Sequence, residues 1–301
     1  MSSYNLKRLL QPKSIALFGG LWIENVANQI KNSNFKGNVW PINPHRKSIA
    51  GYKCFQDISD LPGVPDTAFI GVNRTKTLEI LTKLNEVGCG GATCFAAGFS
   101  EVDKYGKQLQ KKLSKASKDM PFLGPNCYGY INYLDHIHMW PDQHGGKEVE
   151  KGVAIIAQSS NIAINLTMNT RSTPIAYVLT TGNQAKIDMS DLGLAMINDK
   201  RVTAIGIYIE GFKDIKKFEK MAFSALRSNI PIVVLKSGKT DLSKKQSFSH
   251  TASITGDSDI SSAFLKRLGI VEVDDLELFL ETLKVLNFNG RLEKNSIISV
   301  S

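Results

Sequence analysis

Ser14-Ile15-Ala16-Leu17-Phe18-Gly19-Gly20-Leu21 is the stretch whose reading decides the fold. A short apolar run is followed at once by a glycine turn and then by helix-length amphipathic sequence, which reads as strand, turn and helix. The turn suits a phosphate, because backbone N–H groups and the positive end of a helix dipole gather there. An ordinary tight turn fits equally well, since the full G-x-G-x-x-G fingerprint is absent.

Outward from this stretch the same alternation repeats along the chain, as expected of an α/β protein with a parallel sheet covered on both faces by helices. Further strands are predicted at Asn38 to Ile42, Thr67 to Val72, Gly91 to Phe95 and Pro121 to Leu123. Helices are predicted over Thr75 to Val87 and Lys104 to Lys118. Asp135 to Glu150, with Pro141 and the pair Gly145-Gly146, reads as a connection between domains. A second set of strands follows at Gly152 to Ala157, Ile175 to Thr180, Ala204 to Ile209, Pro231 to Lys236 and Ile270 to Val273. The expected division is a first domain over residues 1–146 and a second over 147–292. Residues 293–301 are expected to begin a further domain or to form a tail.

The 301 residues are 42% hydrophobic and 22% charged, the balance of an ordinary globular protein with chain enough for two domains. Apolar runs such as Val153 to Ala157 are too short to span a bilayer and no signal-peptide region opens the chain, so no membrane role and a cytoplasmic location are expected. Cys54, Cys89, Cys94 and Cys127 lack CxxC spacing and read as reduced thiols. The charge of +9, from 37 basic and 28 acidic residues, is spread over helix-like polar faces such as Lys104 to Lys118. That distribution favours a small polyphosphate ligand or an acidic partner over nucleic acid.

Ligands of open α/β sheets bind along the carboxyl edge of the strands. That edge is expected to receive Gly19-Gly20, Asn43-Pro44, Val72-Asn73-Arg74, Ala97-Gly98 with the rest of Ala96-Ala-Gly-Phe-Ser-Glu101, and Gly124-Pro-Asn-Cys127. Asn43 is placed to read a ribose or adenine, and Asn126 to bond a ligand amide or hold its own loop. Cys127 is read as structural, no histidine being placed by sequence to activate it. In the second half, Gln158-Ser159-Ser160 runs from a strand into an apolar helix and forms a candidate anion site. Gly182-Asn183 and Glu210 follow the next two strands. His136, His138 and His144 are candidates for a metal site, but without a cysteine or further carboxylates at ligand spacing beyond Asp135 and Asp142 a polar interdomain loop is preferred and no metal is expected.

His250, in Ser247-Phe-Ser-His-Thr-Ala-Ser-Ile-Thr-Gly256, carries the chemistry of most interest. Its imidazole is nucleophilic near neutral pH, and Ser249, Thr251 and Ser253 offer hydroxyl donors to a phosphoryl group. A loop histidine beside capping residues is the plainer alternative. A carboxylate such as Glu210 on one ring nitrogen would fix the tautomer and leave the other nitrogen to attack phosphorus.

Taken in order, eight runs resemble the NDP-forming acyl-CoA synthetases, a family that includes succinyl-CoA ligase α subunits and ADP-forming acetyl-CoA synthetases. They are Gln11-Pro-Lys-Ser-Ile-Ala-Leu-Phe-Gly-Gly20, Pro41-Ile-Asn-Pro44, Ala97-Gly-Phe-Ser-Glu101, Gly124-Pro-Asn-Cys127, Gln158-Ser159, Gly182-Asn183, Glu210-Gly211 and Ser249-His-Thr251. The resemblance implies a Rossmann-like CoA-binding domain followed by a flavodoxin-like ligase domain. It implies that His250 is the phosphoryl carrier and Glu210 its orienting carboxylate. Gln158, Ser159, Ser160, Gly182, Asn183 and Thr251 would then surround the phosphate. Gly19, Gly20, Asn43, Pro44, Val72, Asn73, Arg74, Ala97, Gly98, Asn126 and Cys127 would line the CoA cleft. Two positions depart from the family pattern: Ser160 stands where glycine is usual, and Val72-Asn73-Arg74 replaces Val-Pro-Ala, which leaves Arg74 able to pair with a phosphate.

What the resemblance implies for activity is acid + CoA + ATP ⇌ acyl-CoA + ADP + phosphate. Coenzyme A and a small carboxylic acid would bind here, with ATP or ADP and Mg2+ on an ATP-grasp domain or β-type subunit, in an oligomer. No ATP-grasp segment is visible in the 301 residues, so the chain reads as one subunit or the N-terminal part of a longer enzyme. A CoA-binding regulatory module of an acetyltransferase fusion is the second reading, disfavoured by the presence of both His250 and Glu210. An NAD-dependent dehydrogenase is the third, disfavoured by the missing fingerprint.

Overall fold

The computed structural model describes residues 4–237 and 258–291. Its first half is a five-stranded parallel sheet of β1 (Ser14–Gly19), β2 (Asn38–Ile42), β5 (Thr67–Gly71), β6 (Ala92–Cys94) and β7 (Phe122–Leu123), in the order β2-β1-β5-β6-β7. A two-stranded ribbon, β3 (Ser48–Ile49) and β4 (Tyr52–Lys53), follows β2. Residue alternation along β1 sorts its side chains between two layers. Ile15 and Leu17 pack with Ile23, Val26 and Ile30 of α2 (Leu21–Asn32) and with Leu9 and Leu10 of the short α1 (Lys7–Leu10). Ala16 and Phe18 face the other way, toward Leu81 and Leu84 of α3 (Arg74–Glu86) and Leu109 and Leu113 of α4 (Lys104–Ala116).

The second half has seven strands in the order β14-β13-β12-β10-β11-β8-β9. Five are parallel: β10 (Gly152–Ala157), β11 (Ile175–Thr180), β12 (Val202–Ile209), β13 (Ile232–Lys236) and β14 (Val271–Val273). Helices α5 (Ser160–Met168) and α9 (Leu276–Asn289) cover the face that carries Val153, Ile155 and Ala157. Ala154 and Ile156 point to the opposite face, where α6 (Met189–Ile197), α7 (Ile215–Arg227) and α8 (Ser258–Arg267) contribute Leu192, Phe218 and Leu265. Helix starts are capped by short polar side chains that accept an N–H of the first turn: Asn73 on α3, Asp103 on α4, Ser159 on α5, Asp188 on α6, Asp214 on α7 and Asp275 on α9.

The stretch expected to be a plain connection, Asp135 to Glu150, holds a strand. β8 (Tyr130–Asn132) and β9 (Ile137–Met139) form an antiparallel pair added to the free edge of β11. Strands of three residues are too short to show a period, which is why they escape a reading by pattern. The pair is also the hinge of contact between the two sheets. Ile137 and Met139 share one apolar cluster with α2, Asn25 and Gln29 of α2 donate to the carbonyls of Pro141 and Asp142 at 3.1 and 2.7 Å, and Asn132 donates to the Leu10 carbonyl at 3.1 Å. Among the described residues no helix is long and apolar enough to cross a membrane. The expected strand Ser296 to Ser301 lies outside the described residues.

Candidate functional site

Each sheet has one point where the strand order turns back on itself. In the first sheet β1 lies between β2 and β5, so the β1–α2 turn stands at the crevice; in the second, β10 lies between β11 and β12, and the β10–α5 turn stands there. The second crevice opens into a cleft of about 520 Å³ that both halves of the chain line. Gln158, Ser159 and Ser160 come from the β10–α5 turn, Gly182 and Asn183 from the end of β11, and Glu210 from the end of β12. Facing them are Ala97 from the β6–α4 loop and Asn126 and Cys127 from the loop after β7.

The turn into α5 is held from below. Gln158 is 7% exposed, and its side-chain oxygen accepts the backbone N–H groups of Glu210 and Gly211 at 2.5 and 2.9 Å. Gln158 therefore braces the Glu210 loop against the β10–α5 turn. Ser159 accepts the Ile162 N–H at 3.4 Å as the cap of α5, so the helix's first amides stand at the cleft with the positive end of its dipole. Ser160, at the position that departs from the family pattern, accepts the N–H of Tyr128 at 3.0 Å. Its hydroxyl ties the β10–α5 turn to the loop that precedes β8.

The opposing loop is built by close backbone approach. Gly182 has φ +51, and a Cβ there would lie 2.4 Å from the carbonyl oxygens of both Pro125 and Asn126. The Asn183 N–H donates to the Pro125 carbonyl at 2.9 Å, and its side chain donates to Glu101 at 2.5 Å and to Gln110 at 3.0 Å. Glu101 also accepts the N–H groups of Gly98 and Phe99, at 2.6 and 3.1 Å. One carboxylate thus joins the β6–α4 loop to Asn183 across the two halves. Sequence reading quoted Glu101 within a motif without giving it this task; a carboxylate three residues after a loop glycine is the signal.

The remaining expected residues lie away from this cleft's lining. A Cβ on Gly19 would meet the Gly71 carbonyl at 2.6 Å, so β1 and β5 close on each other there. Asn43 donates to the Gly19 carbonyl at 2.7 Å and accepts the His45 N–H at 2.9 Å, which commits much of its amide to holding the β1–α2 turn, with Pro44 following. Asn73, after Val72, accepts the Lys76 N–H as a cap. Arg74 donates to the Gly98 carbonyl at 2.6 Å and lies 5.2 Å over the Tyr105 ring, so in this structure its guanidinium is engaged by protein. His250 and Thr251 fall outside the described residues.

Cys127 lies at the floor of the cleft, 1% exposed, and burial pushes its thiol up to about 12. A thiol held protonated is no nucleophile at neutral pH, in line with its structural reading. Cys54, Cys89 and Cys94 are also free thiols. Of the three histidines of the expected polar loop, His138 and His144 pack against each other, while His136 is exposed. His138, on β9, is 5% exposed, its ring lies 4.7 Å from that of His144, and His144 meets the Tyr133 hydroxyl at 3.0 Å. Burial, with smaller contributions from the His144 and His136 charges, holds His138 down to about 3. Among the described residues no group of three His, Cys, Asp or Glu is arranged to hold a metal ion.

One wall of the cleft was not anticipated. Phe95 and Tyr128 line it, their ring centroids 5.6 Å apart, and the row continues to Trp22 at 4.8 Å on one side and Trp140 at 5.5 Å on the other. Trp22 follows the β1–α2 turn, so the aromatic row runs from the first crevice to the second.

Comparison with known proteins bears on both halves. Residues 13–133 match a CoA binding domain, and residues 150–286 match a succinyl-CoA ligase like flavodoxin domain. The chain is 32% identical over 302 aligned residues to an ADP-forming acetate–CoA ligase of Methanocaldococcus jannaschii, an alignment that covers 98% of this chain and 42% of that protein. It is 27% identical to the α subunit of ADP-forming acetate–CoA ligase II of Pyrococcus furiosus, covering 98% of this chain and 65% of that subunit. Among solved structures, the dinucleotide forming acetyl-coenzyme A synthetase 1 of Ca. Korarchaeum cryptofilum, in complex with phosphate and ADP, superposes with a TM-score of 0.87 at 29% identity, over 96% of this chain and 64% of that one. The chain therefore spans about two fifths of the length of the full-length relative and about two thirds of the subunit and the solved chain.

Proposed function

Because the chain belongs to the NDP-forming acyl-CoA synthetase family, we propose that it is the part of an acid–CoA ligase that holds coenzyme A and carries the phosphoryl group. In this reading the whole enzyme catalyses acid + CoA + ATP ⇌ acyl-CoA + ADP + phosphate. Residues 1–146 hold CoA, residues 147–292 carry the phosphohistidine, and an ATP-grasp domain or subunit brings nucleotide and Mg2+.

The carrier is His250. Its imidazole takes the phosphoryl group of ATP and passes it to the acid: a carboxylate oxygen attacks phosphorus, the P–N bond breaks and an acyl phosphate forms. The CoA sulfur then attacks the acyl carbon, the C–O bond to phosphate breaks, and the thiol proton leaves with the phosphate. Two transfers of modest difficulty replace one direct condensation. Glu210 orients the imidazole and offsets the charge of the phosphorylated ring. The first amides of α5 and the Ser159 and Ser160 hydroxyls receive the phosphoryl oxygens. Ala97, Asn126 and Cys127 border the end of the CoA path, while the Gly19-Gly20 turn braced by Asn43, with Pro44 and the Val72-Asn73-Arg74 and Gly98 edge, holds its nucleotide end.

The observation that carries this reading is the single cleft in which the α5 turn, Gly182-Asn183 and Glu210 of one half face Ala97, Asn126 and Cys127 of the other. The test is intact-mass analysis after incubation with an ATP-grasp partner of the family, ATP and magnesium. An acid-labile phosphate on His250, absent from His250→Ala and discharged by CoA plus acid, is expected. Persistence of the label in His250→Ala refutes the assignment. CoA binding with no label in either protein moves the chain to the regulatory-module reading.

A further inference from the structure

The first half keeps its excess positive charge in one place. Residues 13–133, which match a CoA binding domain, hold 15 basic and 9 acidic residues. Six of the basic ones, Lys104, Lys107, Lys111, Lys112, Lys115 and Lys118, lie between Asp103 and Asp119 with no acid among them. Without those six the region is neutral, so its whole excess sits on α4 and the turn that ends it. All six are exposed, and among the described residues none forms an ion pair, whereas Arg8, Arg46 and Lys83 are matched by Asp66, Glu24 and Asp57.

Helix geometry sets these charges in line. Leu109 and Leu113 bury one face of α4, and Lys104, Lys107, Lys111 and Lys115, at spacings of three and four, form a stripe along the opposite face. At the rise of an α-helix the stripe is about 16 Å long. Its amino end stands at the carboxyl edge of the first sheet. A Cβ on Gly106 would overlap the Phe99 carbonyl, so the first turn of α4 lies directly against the Gly98-Phe99 loop. Tyr105, in that turn, is the ring under the Arg74 guanidinium, which itself donates to the Gly98 carbonyl at 2.6 Å. The stripe therefore runs up to the edge assigned above to the nucleotide end of CoA.

A row of unpaired lysines makes a poor contact site and an effective field. Each ammonium is a point charge on a flexible stem. Their summed potential reaches about 8 Å at physiological ionic strength and about 30 Å at 0.01 M salt, and it draws in a ligand of opposite charge. CoA is such a ligand: its 3′-phosphate carries about −1.5 to −2 at neutral pH, and its diphosphate adds to that. Residues 238–257 and 292–301 do not reverse the balance, since by sequence they carry four lysines against three acidic residues.

We infer, resting on the CoA-holding reading above, that Lys107, Lys111 and Lys115 steer coenzyme A toward the first crevice, speeding its capture without touching it once bound.

Stopped-flow fluorescence anisotropy with the ethenoadenine analogue of CoA, on the 301-residue chain, separates kon from koff. The triple variant Lys107→Glu, Lys111→Glu, Lys115→Glu is expected to lower kon about tenfold at 0.01 M salt and less than about threefold at 0.15 M, with koff unchanged. The corresponding glutamine triple, which removes charge without reversing it, should give a smaller loss of the same form and stands in if the glutamate triple does not fold. Lys216→Glu, Lys220→Glu, Arg227→Glu makes the same change of net charge on exposed positions of α7, in the other half, and should lower kon far less.

An unchanged kon overturns the inference. So does an equal loss in the α7 variant, which would assign the effect to net charge alone, and so does a loss that falls on koff, which would make the lysines contacts. Each of these leaves the CoA-holding reading in place. Failure of the unaltered chain to bind either the analogue or CoA removes that reading and the inference with it.

Discussion

Replacing Gly182 by alanine should break the joint between the two halves of the cleft, and the structure sets the size of the effect. Two costs combine. At φ +51 a residue with a Cβ pays about 1–2 kcal/mol for the left-handed conformation. The added methyl would also sit 2.4 Å from the carbonyl oxygens of Pro125 and Asn126. Both are backbone atoms, so no side-chain rotation relieves the overlap. The loop they belong to is pinned where it is by the Asn183 and Ala185 N–H groups, each 2.9 Å from the carbonyls of Pro125 and Gly124. Overpacking of this kind costs about 1–3 kcal/mol, giving about 2–5 kcal/mol in total. Gly269→Ala separates the two contributions: φ there is +67, but no atom lies within 4 Å of the new Cβ. It should cost only the conformational part, about 1–2 kcal/mol. Urea unfolding followed by circular dichroism, with free-energy differences taken from the midpoints, measures both. If Gly182→Ala costs no more than Gly269→Ala, the backbone approach described here is wrong.

Acid should destabilise the fold through His138. Its folded value of about 3 lies below the ordinary histidine value, so the fold needs the ring neutral while the unfolded chain protonates it. The contribution is whole above about pH 6.5 and is lost as pH falls toward 3, amounting to about 2–3 kcal/mol by pH 4.5; urea midpoints across that range should fall, and His138→Gln should flatten the dependence. Glu101→Ala leaves the Gly98 and Phe99 N–H groups and the Asn183 amide without their shared acceptor. It should cost about 1–3 kcal/mol and weaken CoA binding in titration calorimetry, and an unchanged affinity would remove Glu101 from the site. Iodoacetamide at mildly alkaline pH should modify Cys54 well before Cys89, Cys94 or Cys127, which are buried and held protonated; peptide mapping that finds Cys127 first would contradict its burial.

The parallel strands were legible because a strand covered on both faces is an uninterrupted apolar run. Asn38–Ile42, Gly152–Ala157 and Ile175–Thr180 fall where their sequence predicts, and the other parallel strands within two residues. Helices α3 and α4 followed from amphipathic spacing with polar outer faces. β8 and β9 were not legible: Ile137-His-Met139 is too short to alternate visibly, and it is a strand only because β8, itself added to the edge of β11, offers an unpaired edge in space. The same limit hid the aromatic wall. Trp22 stands at the start of α2 while Phe95 and Tyr128 belong to two different loops, and nothing in their neighbours along the chain says that their rings meet.

What the sequence by itself determined is the local grammar: which runs are strands, which turns follow them, and that Gly19-Gly20, Asn126 and Gln158-Ser160 stand at strand ends, since period and turn chemistry act over a few residues. Only the tertiary structure decided which of those ends share a cleft. Gly182 lies against Pro125 and Asn126, Glu101 reaches Asn183, and Tyr128 bonds Ser160, because two sheets pack through α2 and β9 and bring their crevices together. Contacts between residues tens of positions apart are set by that packing, and no property of either residue alone encodes them.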